Sequence, residues 1–358
     1  MLEPGPALRT LTPAHPIVAA SLEDPLWAVV LAGGDGSRLA SLTRGRGGAV
    51  VPKQYCSLEG GPTLLESAIE RGTTLAGPAR TCAVVADAHR CWWSVDAHAL
   101  PASNVHVQPQ NRGTAVGILL ALLRLLEHGR NAQVLLLPAD HYIEDEALLQ
   151  RAIREADRSS RAYPDDLTLV GMAPEWPDPE LGYIVPAAEP RAALRKVERF
   201  VEKPPAQEAE RLLALGALWN SFIVLGRARA LMQMFLRRMP DVVGTLRGAL
   251  ALDRRGQSAS VALARRYREL PSVDFSRDLL MHESPRLRVA KAPQCGWTDL
   301  GAPERLSETL RRRQLEQPRT GAYLAAMPLP PRHRHRPVLA RQLQLTDAGA
   351  VPRTLAAR

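Results

Sequence analysis

Residues 27–38 read WAVVLAGGDGSR. An unbroken apolar run, Trp27 to Ala32, stops at two glycines, and Ser37 and Arg38 follow at once. A run this short, bounded by glycine, predicts a buried strand rather than one face of a helix. Glycines at a strand exit let backbone N–H groups approach a ligand closely and form a concave anion site. Arg38, and Lys53 in the nearby Pro-Lys-Gln, could bring positive charge to the same place. Neither common nucleotide fingerprint is present. No Gly-Lys-Ser/Thr follows, and Gly34 and Gly36 are followed by Leu39 where a third glycine would stand. Read alone, the stretch is weak: glycine turns after strands are common, and a structural turn is the first reading, with a phosphate cradle as the alternative.

Outward from it, elements alternate. TCAVVA, NVHVQ, AQVLLLPADH and LTLVGM read as strands, and GYIVP, LRKVERFVEKP and WNSFIVLG as extended pieces. TLLESAIERGTTL begins with a capping box, Thr63 with Glu66 three residues later. GTAVGILLALLRLLEHG reads as a helix closed by Gly129, and EDEALLQRAIREADRSS as an amphipathic helix with acids in its first turn. Val- and Leu-rich strands separated by helices predict an α/β fold: a Rossmann-like mixed, mostly parallel sheet with helices on both faces. Ligands of such sheets bind beyond the carboxyl ends of strands, where the glycine loop lies. Residues 1–24 read as a flexible arm, 25–315 as the folded domain, and 316–358 as a loose basic tail or small appendage.

The 358 residues carry a formal net charge of +9, which favours anionic partners. Of the 46 basic residues only Lys53, Lys196, Lys203 and Lys291 are lysine. Aromatic residues make up 4% of the chain, too few to supply the stacking platforms of a nucleic-acid binder. No apolar run reaches membrane-spanning length, and the N-terminus lacks the pattern of a secretory signal. Cys56, Cys82, Cys91 and Cys295 show no metal-ligand spacing. The expectation is a cytoplasmic protein without nucleic-acid or membrane partners; a homo-oligomer is compatible with the sequence.

LAGGDGSRL with PKQY resembles the signature of the sugar nucleotidyltransferases, and more narrowly the mannose-1-phosphate guanylyltransferases. QPQNRGTA, LLLPADHYI, LGYIVP, VERFVEKP, LWNSFIVLG and WTDLGAPERL are similar to further family segments, in family order, over about residues 26–310. The resemblance implies that a sugar 1-phosphate, most simply mannose 1-phosphate, attacks a nucleoside triphosphate, most simply GTP, giving a sugar nucleotide and pyrophosphate. The phosphate oxygen is already nucleophilic, so the reaction asks for charge neutralisation, in-line positioning and a divalent metal. Magnesium takes one or two carboxylates plus phosphate oxygens and water. Asp140, at a strand end, and Asp299, in a late loop, are the implied ligands; the plainer readings are a helix cap and a turn. Arg38 and Lys53 are the implied catalytic cations. Leu31, Ala32, Gly33, Gly34, Gly36 and Ser37, with Gln110, Asn111, Arg112, Gly113 and Thr114, would hold the nucleotide. Gly182, Glu202, Lys203 and Asn220 would hold the sugar phosphate. Trp219 and Trp297 fit either beside the sugar or in the core, and His141 reads as structural, since the reaction has little proton transfer to do.

Three departures from the family pattern stand out. TRGRGGAVV lengthens the loop between Arg38 and Lys53, where Arg44 and Arg46 could add phosphate contacts. PELGYIV is a shortened form of the tyrosine loop. Phe222 stands where the family's Trp-Asn-Ser segment continues with glycine. These put the sugar's identity in question more than the reaction. The alternatives are the same reaction on another nucleotide or sugar phosphate, and a catalytically weak nucleotide-binding regulator.

Overall fold

A computed structural model of the chain describes residues 25–36, 39–44, 50–127, 132–189, 192–253, 259–316 and 339. The N-terminal arm, Ser37, Arg38, Arg46, Gly129 and nearly all of the C-terminal tail lie outside the described residues.

The apolar run that opens the chain's folded part is β1 (Leu26–Ala32). The helix α1 (Leu64–Ala76) follows, with the Thr63–Glu66 capping box formed in both directions. Next come β2 (Thr81–Ala86), α2 (Arg90–Asp96), β3 (Val105–Gln108), α3 (Gly113–Glu127) and β4 (Gln133–Pro138). The second half comprises α4 (Glu146–Ser160), β5 (Leu167–Met172), β6 (Tyr183–Pro186), β7 (Arg195–Val201), α5 (Ala206–Ala214) and β8 (Leu218–Arg227). It closes with α6 (Ala228–Arg238), α7 (Pro240–Asp253), α8 (Ala259–Glu269), β9 (Leu287–Lys291) and α9 (Pro303–Glu316).

Among the described residues the strands form one nine-stranded sheet in the order β3-β2-β1-β4-β8-β5-β9-β7-β6. The ladders β3–β2–β1–β4 and β5–β9 are parallel, while β8 and β7 run against their neighbours. All the other strands therefore point one way, and the sheet is mixed and mostly parallel. In β1 both faces are buried. Trp27 and Val29 enter a core shared with α3, α6 and α7, whereas Ala28, Val30 and Ala32 enter a second core shared with α1 and α4. That two-sided burial explains why β1 reads as a continuous apolar run instead of an alternation.

The chain leaves β1 toward β2 on one side and returns, after β3, to β4 on the other. This reversal opens a crevice at the carboxyl ends of β1 and β4, the usual ligand position in such sheets.

Candidate functional site

A cavity of about 320 Å³ occupies that crevice. The loop after β1 supplies Gly33, Gly34 and Gly36, the loop after β3 supplies Asn111, the start of α3 supplies Gly113 and Thr114, and the loop after β4 supplies Asp140. Leu31 also lines it. Gly36 has φ +60°, and a Cβ there would lie 2.7 Å from the Lys53 backbone nitrogen, so glycine is required by both conformation and space. The short turn Lys53–Tyr55 is clamped beneath the loop. The Gln54 amide donates to the carbonyls of Ala32 at 3.0 Å and Gly34 at 2.7 Å, and the Tyr55 hydroxyl donates to Ala32 at 3.3 Å.

Lys53 is buried at the base of the crevice. Its ammonium lies 3.0 Å from Asp140 Oδ2 and donates to the backbone carbonyls of Asp299 at 2.5 Å and Leu300 at 3.4 Å. Asp140 is not a helix cap. Asp145 caps α4, accepting the Leu148 N–H at 2.7 Å, and the Asp140 side chain is left 39% exposed to the cleft. Partial burial raises the Asp140 pKa, but the Lys53 ammonium and the neighbouring His141 outweigh it and hold the carboxyl below its ordinary range. Burial pushes the His141 imidazole down to about 4, so the ring is neutral. Trp297 Nε1 donates to His141 Nδ1 at 3.1 Å, which leaves the ring proton on Nε2, 3.7 Å from Asp140 Oδ1.

The late loop is stitched to the end of β4. Tyr142 and Thr298 exchange backbone hydrogen bonds of 2.9 and 3.0 Å, bringing Asp299 under Lys53. The Asp299 carboxylate, however, is engaged elsewhere. It accepts the Gly301 N–H at 3.0 Å and pairs with Arg305 Nε at 2.7 Å, and Arg305 also binds Asp178. The donor set for a divalent ion therefore differs from the sequence expectation. Asp140 offers a cleft-facing carboxylate, whereas Asp299 presents its carbonyl to Lys53 and its carboxylate to Arg305. Among the described residues no group of three or more His, Cys, Asp or Glu side chains gathers at one point. One carboxylate fits a magnesium ion that takes its other ligands from phosphate and water.

Arg112 is also placed away from the cavity. Its guanidinium donates to the carbonyls of Tyr267 and Arg268, each at 2.8 Å, at the end of α8, and to Gln110 Oε1 at 3.0 Å. A cation there satisfies carbonyls that the helix terminus leaves unpaired. Asn111 stays at the cavity, donating to Asp35 in the glycine loop at 3.1 Å and accepting the Gly113 N–H at 3.0 Å. Thr114 Oγ1 accepts the Phe275 N–H at 2.8 Å.

Gly182, Glu202 and Asn220 come together although they belong to separate segments. Asn220 donates its N–H to the Gly182 carbonyl at 2.8 Å, and a Cβ at Gly182 would sit 2.6 Å from Glu202 Oε2. Lys203 follows, exposed, with φ +48°. Among the described residues the non-glycine positions of positive φ are Lys203, Phe222 and Leu300, all in segments around the crevice. Each costs roughly 1–2 kcal/mol relative to ordinary backbone, and such strain concentrates at functional sites. Trp219 and Trp297 are neighbours in a ring series with His141.

Some cavity residues were not singled out from the sequence: Gln54, Gln108 and Asp274 among them. Gln54 lay beside Lys53 in the PKQY segment, and Gln108 closes a recognisable strand. Asp274 carried no sequence signal: it caps the turn Phe275–Leu279, accepting the Arg277 N–H at 2.9 Å.

The Nucleotidyl transferase family model matches residues 27–314 of the chain. The alginate biosynthesis protein AlgA of Pseudomonas aeruginosa is 30% identical over 283 residues, covering 76% of this chain and 56% of that protein. Mannose-1-phosphate guanylyltransferase of Escherichia coli (strain K12) is 31% identical over 298 residues, 78% of this chain and 59% of that protein. The chain thus spans little more than half the length of these relatives. Among solved structures, the mannose-1-phosphate geranyltransferase of Thermus thermophilus is similar with a TM-score of 0.67 and 28% identity, over 80% of this chain and 79% of that one. A mannose-6-phosphate isomerase of Helicobacter pylori, 18% identical with a TM-score of 0.56 over 76% of this chain and 99% of that one, shares the fold.

Proposed function

Because the chain belongs to the nucleotidyl transferase family, we propose that it transfers a nucleoside monophosphate from a nucleoside triphosphate to a sugar 1-phosphate, with release of pyrophosphate. The substrates that fit best are GTP and mannose 1-phosphate, in keeping with the names of its relatives. One observation carries this reading. A glycine-lined cavity ends at a partly exposed carboxylate, Asp140, which a buried cation, Lys53, pairs from behind at 3.0 Å.

The glycine loop and the segment from Asn111 to Thr114 hold the nucleotide, with Asn111 fixed by its bond to Asp35. Asp140 would hold a magnesium ion, which would supply neutralisation of phosphate charge, including that of the leaving pyrophosphate. Lys53 adds fixed positive charge in a water-poor setting, where electrostatic stabilisation is strongest. Gly182, Glu202 and Asn220 receive the sugar, and Lys203 its phosphate. Arg38, which lies outside the described residues, remains assigned to the triphosphate. His141, neutral and held by the Trp297 indole N–H at Nδ1, stands beside Asp140 and transfers no proton. Its small-molecule substrates and its four free thiols suit a cytoplasmic setting. Among the described residues no helix is long and apolar enough to cross a membrane.

Pyrophosphate release measured with magnesium across a grid of nucleoside triphosphates and sugar 1-phosphates tests this. Release confined to GTP with mannose 1-phosphate is expected, and another active pair would keep the reaction and change the substrates. A second reading, a nucleotide-binding regulator of low activity, is favoured by the Asp299–Arg305 pair, which leaves Asp140 to hold the metal without a second carboxylate. Silence across the grid with nucleotide binding intact would select it.

A further inference from the structure

Phe222 is held in a conformation that only glycine adopts freely, and its ring faces the cavity. Its φ is +59°. The β5–β8 register shifts between Leu169 and Gly171, so Ser221, Phe222 and Ile223 stand opposite Val170 alone. This bulge is locked by its own side chains. Ser221 Oγ donates to the Val170 carbonyl at 2.5 Å and accepts the Ile223 N–H at 3.2 Å, while Asn220 Oδ1 accepts the Phe222 N–H at 3.1 Å. A bulge re-aims the side chain it carries. The ring is braced from behind by the core and by Phe275, with centroids 5.9 Å apart, and it forms part of the cavity wall with Asp140 and Asn111. Asn220, two residues earlier on the same strand, belongs to the Gly182–Glu202 cluster. The bulge therefore turns an aromatic ring into the cavity two residues after Asn220, whose backbone N–H binds the Gly182 carbonyl.

Resting on the reading of the site given above, we infer that Phe222 is a specificity-determining residue. It is a rigid aromatic wall where the nucleotide cavity meets the sugar cluster, and it admits a plain hexose 1-phosphate while excluding bulkier ones such as N-acetylhexosamine 1-phosphates. A ring braced on its far side cannot yield to a larger ligand. Rejection by a built-in clash discriminates where an attractive pocket alone would not.

The test compares wild type with Phe222→Gly and Phe222→Leu. Glycine takes a φ of this sign without steric cost, so Phe222→Gly removes the ring and keeps the bulge. With GTP saturating, kcat/KM is measured for mannose 1-phosphate and for N-acetylglucosamine 1-phosphate. The ratio of the second to the first is expected to rise about tenfold or more in Phe222→Gly, the scale of steric discrimination in an apolar pocket. Phe222→Leu should stay near the wild-type ratio. KM for GTP is measured alongside, and a change in it as large as the change in the ratio would assign the ring to the nucleotide and overturn the assignment. A ratio unchanged in Phe222→Gly overturns the assignment. If wild type releases no pyrophosphate with any pair, the catalytic reading fails separately, and the wall is read by equilibrium binding. The gain in affinity of GDP-mannose over GDP should then differ between wild type and Phe222→Gly, and an identical gain in both overturns it.

Discussion

At Lys53 one ammonium meets three acceptors: the Asp140 carboxylate and the carbonyls of Asp299 and Leu300. The sequence suggested a lysine reaching for phosphate; in the structure these three acceptors hold its ammonium in place. Asp140 is the counterpart, the carboxylate that α4 does not need. Asp140→Ala should lower magnesium-dependent pyrophosphate release by about a hundredfold or more, the scale seen on removing an electrostatic stabiliser; retained turnover would take Asp140 out of the metal site. Lys203 is the residue proposed for the other substrate. Lys203→Ala should raise KM for the sugar phosphate by about tenfold to a hundredfold, as expected for a lost charged hydrogen bond, with KM for GTP unchanged. Equal effects on both would remove its assignment. Asp299 and Arg112 show the limit of reading at this scale. Their types were legible, but Arg305 and the end of α8 decide where each charge goes.

The elements themselves were largely legible, because hydrophobic runs and caps are local properties. The Thr63 cap is one example. Its hydroxyl accepts the Glu66 N–H at 3.2 Å and donates to the buried Asp96 at 3.0 Å, while Glu66 returns a bond to the Thr63 N–H at 3.0 Å. α1 packs on β1 and leads out of the segment that carries Lys53. Thr63→Ala should cost about 1–2 kcal/mol in urea denaturation, and Thr63→Ser should recover most of it; a loss too small to measure would show that α1 is held by packing alone. The bulge in β8 was not legible as an element. WNSFIVLG reads as an ordinary strand, and the two extra residues exist only against Val170 of its partner.

Across the molecule, the arginine-rich composition finds a use in ion pairs that tie distant elements. Arg71 on α1 is buried and meets Glu146 at the start of α4 at 2.6 Å, and Arg288 on β9 meets Asp166 at 2.8 Å. Glu283, itself buried, gathers Arg237 and Arg238 of α6 at 2.7 and 2.9 Å. Burial raises the Glu283 pKa, but hydrogen bonds and charge from the two arginines outweigh it and hold the carboxyl below its ordinary range. A depressed folded pKa contributes stability that is present above the unfolded value and lost as pH falls through the folded one. Glu283→Gln should therefore be less stable than wild type by about 1–3 kcal/mol at pH 7. Urea titrations should show that gap closing as pH drops below the ordinary carboxylate value of 4.5; a gap independent of pH would exclude the charge as its source. What the sequence by itself determined is the α/β class, the succession of strands and helices, the helix cap, and the glycine loop at a strand end. Each of these depends on residues close together in the chain. Only the tertiary structure decided that β8 lies between β4 and β5, that Asp299 serves Lys53 through its carbonyl across 246 residues, and that Phe222 turns into the cavity. Those outcomes depend on strand order and on which side chains compete for one charge, and contacts made after folding settle both.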